Sequence, residues 1–486
     1  MSGMGEAYIR LIRQVCSNND RTPVQRGPSE IDEMIALRLF GTNGVRGVVN
    51  VDLTPDLVLE LSQSIGTFFK GGRILVGRDG RLSGRMLTEA VIAGLTSVGC
   101  EVCDIGMAPT PCIQHLVPYW RLDGAIAVTA SHNPPEYNGI KVMARDGVEV
   151  PRSDEELIEG CYRRREWARA DWRHVGKIFQ RSDGIDAYVR ELQRHFDPEA
   201  IKKAKLATMV DAGSGVGTLT TPYVLRDLGC KVHTINSNID GTFPNRLPEP
   251  TPETLKNLAG TVKDLNVDFA VALDGDADRA IFLDERGQVH WGDRTFALIE
   301  QYFLSENRGE KIVTPVSSSQ VIQDVAKQYD GSVVWTRVGS VDVSRKMLEI
   351  GAKLGGEENG GIFYAPHVPV RDGAFAAAFV ASILAKTRER LSSLLGKLPS
   401  YCNAKEKVFC PNEKKEQILK EVKARARGSR IETIDGVKVW HEDSSWILVR
   451  PSGTEPAFRL FAEARSKERA TQHISTYRRI VEDLAK

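Results

Sequence analysis

The chain has 486 residues, of which 41% are hydrophobic and 27% charged, and its formal net charge is +1. That length exceeds what one core organises, so about three or four domains are expected, and the near-zero charge speaks against nucleic acid as a partner. No apolar run reaches the length of a membrane span and no signal pattern opens the chain, so the expectation is a cytoplasmic protein with no membrane partner.

Residues 1–36 read as a poorly ordered extension. Positions 7–16 are amphipathic at helical spacing, but 17–23 and 27–29 are rich in chain breakers, and Met34 is a candidate translation start. Beyond them one pattern recurs. An apolar strand at 74–79 leads through a helix carrying Leu87, Ala90, Val91 and Leu95 to the stop Gly99 and a strand at 102–105. Strand 207–211, a helix through Tyr223, Val224 and Leu225, and strand 232–235 repeat it. A looser copy runs from 312–315 through Val321, Ile322 and Val325 to 332–335. Strand, turn, helix, glycine stop and strand make a βαβ unit. Three units about 110 residues apart predict three similar α/β domains rather than one sheet.

The remainder has a break at 399–411, a Lys/Glu-rich helix at 413–426, strands around 431–440 and 446–450, and a last helix at 466–484. It reads as a smaller α+β domain. The expected division is an extension at 1–36, α/β domains at 37–177, 178–290 and 291–398, and an α+β domain at 399–486. The eight cysteines are scattered and read as apolar fillers. Cys100 and Cys103 match C-x-x-C, but the pair opens a strand, where positions three apart face opposite ways, so no redox pair is expected.

Four segments carry chemistry. Ser131, within Thr129-Ala130-Ser131-His132-Asn133-Pro134-Pro135, follows the strand-like run 125–128 and sits on a rigid turn. No G-x-S-x-G elbow surrounds it, which disfavours an esterase triad. A serine that carries a phosphoryl group suits its company better than an ordinary turn serine. Asp274, Asp276 and Asp278 alternate directly after the apolar run 269–273. In an extended backbone, residues two apart share a face, so three carboxylates converge. Anions that close need a cation, and hard oxygen ligands select Mg2+ or Ca2+. An EF-hand loop starting at Asp274 would end suitably at Glu285 but holds Arg279 where glycine is required, and its flanks read as strands. Mg2+ on a tight strand-to-strand loop is therefore the expectation.

Glu357, Glu358 and Asn359 lie among four glycines at 355–361, a loop able to bring backbone, acids and an amide to hydroxyl groups. Arg450-Pro451-Ser452-Gly453-Thr454 follows strand 446–449 and offers a guanidinium, two hydroxyls and a bare amide, a set suited to phosphate, with Arg459 adding charge. Neither a P-loop nor a dinucleotide fingerprint is present. Nucleophile, cation site, hydroxyl reader and phosphate cradle together point to phosphoryl transfer on a sugar phosphate.

In these segments and their order, from about residue 37 to the end, the chain resembles the α-D-phosphohexomutase family and its archaeal-type phosphomannomutase/phosphoglucomutase members. The resemblance implies three similar α/β domains and a C-terminal α+β domain around a central active-site cleft, each supplying one loop. Ser131 would be phosphorylated in the resting enzyme, with His132 and Lys141 beside it in acid–base or electrostatic roles. Asp274, Asp276 and Asp278 would hold Mg2+ together with an oxygen on Ser131. Arg279 would contact that phosphate, as would Arg46. Glu357 and Asn359 would read sugar hydroxyls, and Gly339 would line the substrate site. Arg450, Ser452, Gly453 and Thr454, with Arg459 nearby, would bind the phosphate that is not transferred.

The implied reaction interconverts hexose 1-phosphates and 6-phosphates of mannose or glucose through a hexose 1,6-bisphosphate, which also serves as activator. Phosphoglucosamine mutase is the alternative within the family. A silent sugar-phosphate-binding paralogue is opposed by the intact motifs, and a serine phosphatase by the sugar loop. Two positions depart from the pattern. Asn359 and Gly361 stand where many bacterial members have Ser and His, and Arg337 where relatives commonly have Lys, which keeps the charge but cannot act as a base. No feature of the sequence specifies an oligomeric state.

Overall fold

The recurring strand–helix–strand pattern folds into separate sheets. The computed structural model describes residues 39–41, 43–453 and 455–485, so the expectations for 1–36 and the position of Thr454 lie outside the described residues. From Phe40 onward the chain forms one unit. Its first sheet has six strands in the order Val45–Val48, Tyr137–Met143, Gly124–Val128, Arg73–Arg78, Glu101–Met107 and Ile178–Gln180. The last of these strands begins at 178, where the sequence reading opens the second domain, yet it pairs with Glu101–Met107. The second sheet, of five strands, runs Val289–His290, Ala280–Asp284, Phe269–Leu273, Ala207–Asp211, Lys231–Ile235. The third, also of five, runs Ser332–Thr336, Lys311–Pro315, Leu354–Gly356, Ile362–Tyr364, Val368–Arg371.

One topological event repeats in all three. A parallel strand turns back into an antiparallel neighbour: Gly124–Val128 into Tyr137–Met143, Phe269–Leu273 into Ala280–Asp284, and Leu354–Gly356 into Ile362–Tyr364. These turns are the serine, triple-aspartate and glutamate–asparagine loops. Each lies beyond the carboxyl end of a parallel strand, the edge at which α/β sheets present ligand sites. Gly124–Val128 and Phe269–Leu273 are buried at every position, as strands covered on both faces should be.

The sheets share packing as well as topology. Helix Gly373–Thr387 is buried from Gly373 through Ala385, and its many alanines let neighbouring helices close around it. A helix apolar on all sides belongs in an interior. It packs against Pro198–Ala204 and Thr221–Asp227 of the second domain and Gly292–Glu306 of its own. Its N-cap is Asp372, whose carboxylate accepts the Phe375 N–H at 2.9 Å and both ends of a bifurcated contact from the Tyr188 hydroxyl. Truncating Phe375, 1% exposed in this core, would cost about 3–5 kcal/mol.

The C-terminal domain is a five-stranded antiparallel sheet, Cys402–Phe409, Ala457–Ala464, Trp446–Pro451, Val437–Trp440, Arg430–Glu432, with helix Lys467–Ala485 against it. Two expectations are corrected here. The break at 399–411 holds the strand Cys402–Phe409, an edge strand whose exposed Lys405 and Lys407 are of the kind that protects a sheet edge. The single strand at 431–440 is a hairpin of two strands that turns at Asp435-Gly436, and an Asp-Gly pair between apolar runs is a hairpin signal.

Candidate active site

Ser131 is fully buried and sits at φ +53°, in the left-handed region that a non-glycine residue rarely enters. Such strain costs about 1–3 kcal/mol and persists only where neighbours over-determine it. They do so here. Thr129 Oγ1 accepts the Ser131 N–H at 2.9 Å and donates to Asp79 Oδ2 at 2.6 Å. Arg81, buried and paired with Asp79, donates to the carbonyls of Ser131 (2.9 Å), Asn133 (2.6 Å), Pro134 (2.6 Å) and Tyr137 (2.9 Å). Arg46 adds bonds to the Ala130 carbonyl at 3.0 Å and Asn133 Oδ1 at 2.8 Å. Burial pushes the Arg46 guanidinium down to about 10.

The loop brings the serine hydroxyl to the triple aspartate: Ser131 Oγ donates to Asp274 Oδ2 at 2.8 Å. Asp274, Asp276 and Asp278 each present a carboxylate oxygen within 4.8 Å of the others. They meet through a turn, with Ala277 at φ +60°, and not by alternation along an extended strand as the sequence suggests. Asp276 Oδ2 accepts Thr110 Oγ1 and Lys141 Nζ, both at 2.6 Å, and Lys141 Nζ also reaches Asp278 Oδ2 at 3.3 Å. Burial, with Asp278 and Asp276 alongside, raises the Asp274 carboxyl well above its ordinary range. Burial opposes the Asp276 charge too, but Lys141 and the Thr110 hydroxyl outweigh it and hold that carboxyl well below the usual range.

Asp276 Oδ1 and Asp278 Oδ1 are buried without a hydrogen-bond partner. Carboxylate oxygens left without a hydrogen-bond partner in a three-carboxylate cluster are the donors a hard divalent cation takes, so the residues present fit Mg2+.

The residues of the expected sugar loop adjoin this cluster through one side chain that sequence reasoning missed. Arg371, 5% exposed, pairs with Asp278 and with Glu357 Oε2 at 3.2 Å. Burial works against its charge, yet Asp278 and Glu357 hold the guanidinium above its ordinary range. A Cβ at Gly361 would meet Arg371 Cδ at 2.5 Å. Arg371 therefore occupies the space beside position 361. Asn359 Oδ1 accepts the Gly361 N–H at 3.2 Å, and Ala280 N–H donates to the Gly360 carbonyl at 3.1 Å, tying this loop to the aspartate hairpin. Glu358 points elsewhere, pairing with Lys405 and accepting Trp291 Nε1 at 3.1 Å.

Burial, then Arg279, Arg46 and Arg371, hold the His132 ring well below the ordinary range, and its Nδ1 has no hydrogen-bond partner. Arg279 lies with Nε 3.8 Å from Asp278 Oδ1 and a terminal nitrogen 3.6 Å from Glu249. Ser131, His132, Arg46, Lys141, the three aspartates, Arg279 and Glu357 thus share one charged cluster.

The expected phosphate loop forms a second group. Arg450 donates from Nε to Asp435 Oδ2 at 2.5 Å, and the same oxygen accepts the Val338 N–H at 3.0 Å. Gly339, at φ +146°, caps helix Ser340–Ile350 beside it. Lys415 Nζ donates to the carbonyls of Ser452 (2.6 Å) and Glu455 (2.7 Å), and a Cβ on Gly453 would meet open space. Arg459 is the cross-strand neighbour of Arg450 but pairs with Glu455, and its side chain is 48% exposed. Arg337 is exposed.

A loop-borne serine beside a three-carboxylate cluster, repeated α/β domains and a basic loop on a fourth domain define a phosphoryl-transfer fold. Models of the four phosphoglucomutase/phosphomannomutase domains match in order: alpha/beta/alpha domain I at 37–169, domain II at 186–287, domain III at 291–401 and the C-terminal domain at 406–475. The chain belongs to the phosphoglucomutase/phosphomannomutase family, the α-D-phosphohexomutases. It is 42% identical to a phosphoglucomutase/phosphomannomutase of Thermococcus kodakarensis over 92% of this chain and 99% of that one. It is 46% identical to a phosphoglucosamine/phosphogalactosamine mutase of Sulfurisphaera tokodaii, again over 92% and 99%. Among solved structures, a phosphoglucomutase/phosphomannomutase family protein of Burkholderia thailandensis superposes with a TM-score of 0.81 at 28% identity, covering 92% of this chain and 97% of that one. Among the described residues, no helix is long and apolar enough to cross a membrane.

Proposed function

We propose that the protein interconverts hexose 1-phosphates and hexose 6-phosphates through a phosphorylated Ser131 and a hexose 1,6-bisphosphate. The observation that carries this reading is the buried Ser131 hydroxyl, 2.8 Å from one of three clustered carboxylates. In the first half-reaction the Ser131 Oγ–P bond breaks as a sugar hydroxyl oxygen bonds to phosphorus. The hydroxyl proton passes to the His132 ring. In the second half the bisphosphate presents its other end, the phosphoryl group that the substrate brought passes to the Ser131 oxygen as its bond to the sugar oxygen breaks, and His132 gives the proton to that sugar oxygen. Asp274, Asp276 and Asp278 would hold Mg2+, which supplies Lewis-acid relief of charge on the transferring oxygens. Arg279, Arg46 and Lys141 bring fixed positive charge to the same place, so transfer rests on positioning and preorganised electrostatics. Glu357 and Asn359 hold sugar hydroxyls, while Arg450, Ser452, Gly453 and Thr454 grip the resting phosphate. An enzyme whose serine has lost its phosphate is recharged by the bisphosphate.

Glucose and mannose phosphates are the first substrates to test, since the Thermococcus relative carries those names. The Sulfurisphaera relative, 46% identical, favours a second reading with amino-sugar phosphates. Side-by-side assays on glucose, mannose and glucosamine 1-phosphates with bisphosphate activator decide between them. Turnover of none of the three, by enzyme carrying phosphoserine, would rule out both.

A further inference from the structure

The hairpin that turns at Asp435-Gly436 does more than connect two strands. Asp435 is 8% exposed, and one oxygen, Oδ2, accepts two hydrogen bonds from different domains. Arg450 Nε, on the strand that leads into the phosphate loop, donates at 2.5 Å. The Val338 N–H, in the loop of the third domain just ahead of Gly339, donates at 3.0 Å. The Val338 carbonyl faces back toward Arg450, 3.5 Å from a terminal nitrogen. The glycine next in sequence permits this approach: Gly436 is at φ +84°, and a Cβ there would meet the Val449 carbonyl oxygen at 2.3 Å and Arg450 Cα at 2.9 Å.

The same hairpin anchors the C-terminal domain on the third one. Lys438, 2% exposed, donates to the Val316 carbonyl at 2.9 Å and lies over the rings of Trp446 (3.8 Å), Trp440 (4.9 Å) and Trp335 (5.1 Å). On the far side of Gly339, the Ser340 hydroxyl accepts Asn43 Nδ2 at 2.9 Å, so the 338–340 loop is held from the first domain as well. Asp435 thus ties the guanidinium of the phosphate loop to a loop of another domain that is fixed at both ends.

Resting on the reading that Arg450 holds the non-transferring phosphate, we propose that Asp435 is the positioning residue of that site. It fixes Arg450 through Nε, which directs the terminal nitrogens to a bidentate grip on phosphate, and it registers the phosphate loop against Val338-Gly339. Its own negative charge is spent on Arg450 and the peptide N–H, so it steers the guanidinium and does not itself meet the ligand. Either end of the sugar presents its phosphate to the same guanidinium, and both directions of the reaction depend on Asp435 equally.

The test is a double-mutant cycle on the hexose 1-phosphate and 6-phosphate pair turned over fastest among glucose, mannose and glucosamine. KM and kcat are measured for Asp435→Ala, Asp435→Asn, Arg450→Ala and the Asp435→Ala/Arg450→Ala double variant, with thermal midpoints alongside. Asp435→Ala is expected to raise both KM values about tenfold to a hundredfold, the weight of a charge-assisted hydrogen bond, with kcat changed far less. Asp435→Asn, which keeps an acceptor oxygen for Val338, falls between it and wild type and serves should the alanine variant not fold. The double variant matches Arg450→Ala, because Asp435 acts through that side chain. A lowered thermal midpoint with both KM values unchanged in the Asp435 variants, or effects that simply add in the double variant, overturns the proposal. Unchanged KM values in Arg450→Ala instead overturn the reading of the phosphate loop and Asp435's role with it.

Discussion

Ser131 Oγ donates a 2.8 Å hydrogen bond to Asp274 Oδ2, joining loops 143 residues apart in sequence. The bond runs between the first two domains, so the proposed nucleophile and the proposed cation ligands are placed by two independent sheets. Neither loop alone makes a site. Arg371 extends the arrangement to the third domain by pairing with both Asp278 and Glu357.

Asp276→Asn is expected to lower kcat by orders of magnitude and to raise the Mg2+ concentration needed for half-maximal activity. The substitution removes one negative charge from the cation's shell and disrupts the ion pair with Lys141, 2.6 Å away. Titrating activity against Mg2+ reads this directly. An unchanged metal requirement would assign the aspartates a structural role.

Arg450→Ala and Glu357→Ala should separate holding from aligning. Loss of Arg450 raises KM for the 1-phosphate and the 6-phosphate alike, by about 2–5 kcal/mol, the cost of truncating one partner of a buried charge pair. Loss of Glu357 leaves phosphate affinity largely intact and depresses kcat, since a sugar gripped by phosphate alone sits out of line. Steady-state kinetics in both directions distinguish them. An Arg450 effect confined to one direction contradicts a shared cradle.

Stability should fall on mild acidification, and His115 should carry part of the fall. The His115 and His367 rings stack at 4.4 Å where the first and third domains meet, and none of their four ring nitrogens has a hydrogen-bond partner. Burial holds His115 at about 4 and His367 well below its ordinary range. The unfolded chain takes up these protons near pH 6.5, whereas the folded chain resists them, so the contribution is complete above about pH 6.5 and is lost as pH falls toward 4. Asp372, pushed up to about 6 by burial, works in the opposite sense over the same window. Comparison with His115→Phe, which keeps the stacking, cancels that term. Between pH 6.5 and 5 the variant should lose about 1.5 kcal/mol less stability than wild type in denaturant titrations. Parallel curves would remove His115 from the account.

The four loops were legible because each is contiguous and follows an apolar strand, so residue types and spacing lie within one window. The ties between them were not. Arg371 is 93 residues from Asp278, Thr110 is 166 from Asp276 and Arg81 is 50 from the Ser131 carbonyl, and no local periodicity encodes such pairs. The Asp79-Gly80-Arg81 turn after an apolar strand was a signal of the same kind as the four that were read. The C-terminal domain suffered differently. Its edge strand Cys402–Phe409 is polar enough to resemble a linker, and reading a strand through Asp435-Gly436 hid the carboxylate that now sits on Arg450. The spacing predicts the convergence of the aspartates through an extended backbone, whereas the left-handed Ala277 wraps the loop and leaves no trace in that spacing.

The central claim is that Ser131 carries the phosphoryl group, and the most direct measurement is intact-protein and peptide mass spectrometry after incubation with glucose 1,6-bisphosphate and Mg2+. Wild-type enzyme should gain one phosphoryl group, confined to the peptide containing Ser131, and exchange an isotopically labelled group for that of an added excess of hexose monophosphate. Ser131→Ala should acquire none and show no turnover while still binding sugar phosphate. A phosphoryl group on another residue, or full turnover by Ser131→Ala, would contradict the account.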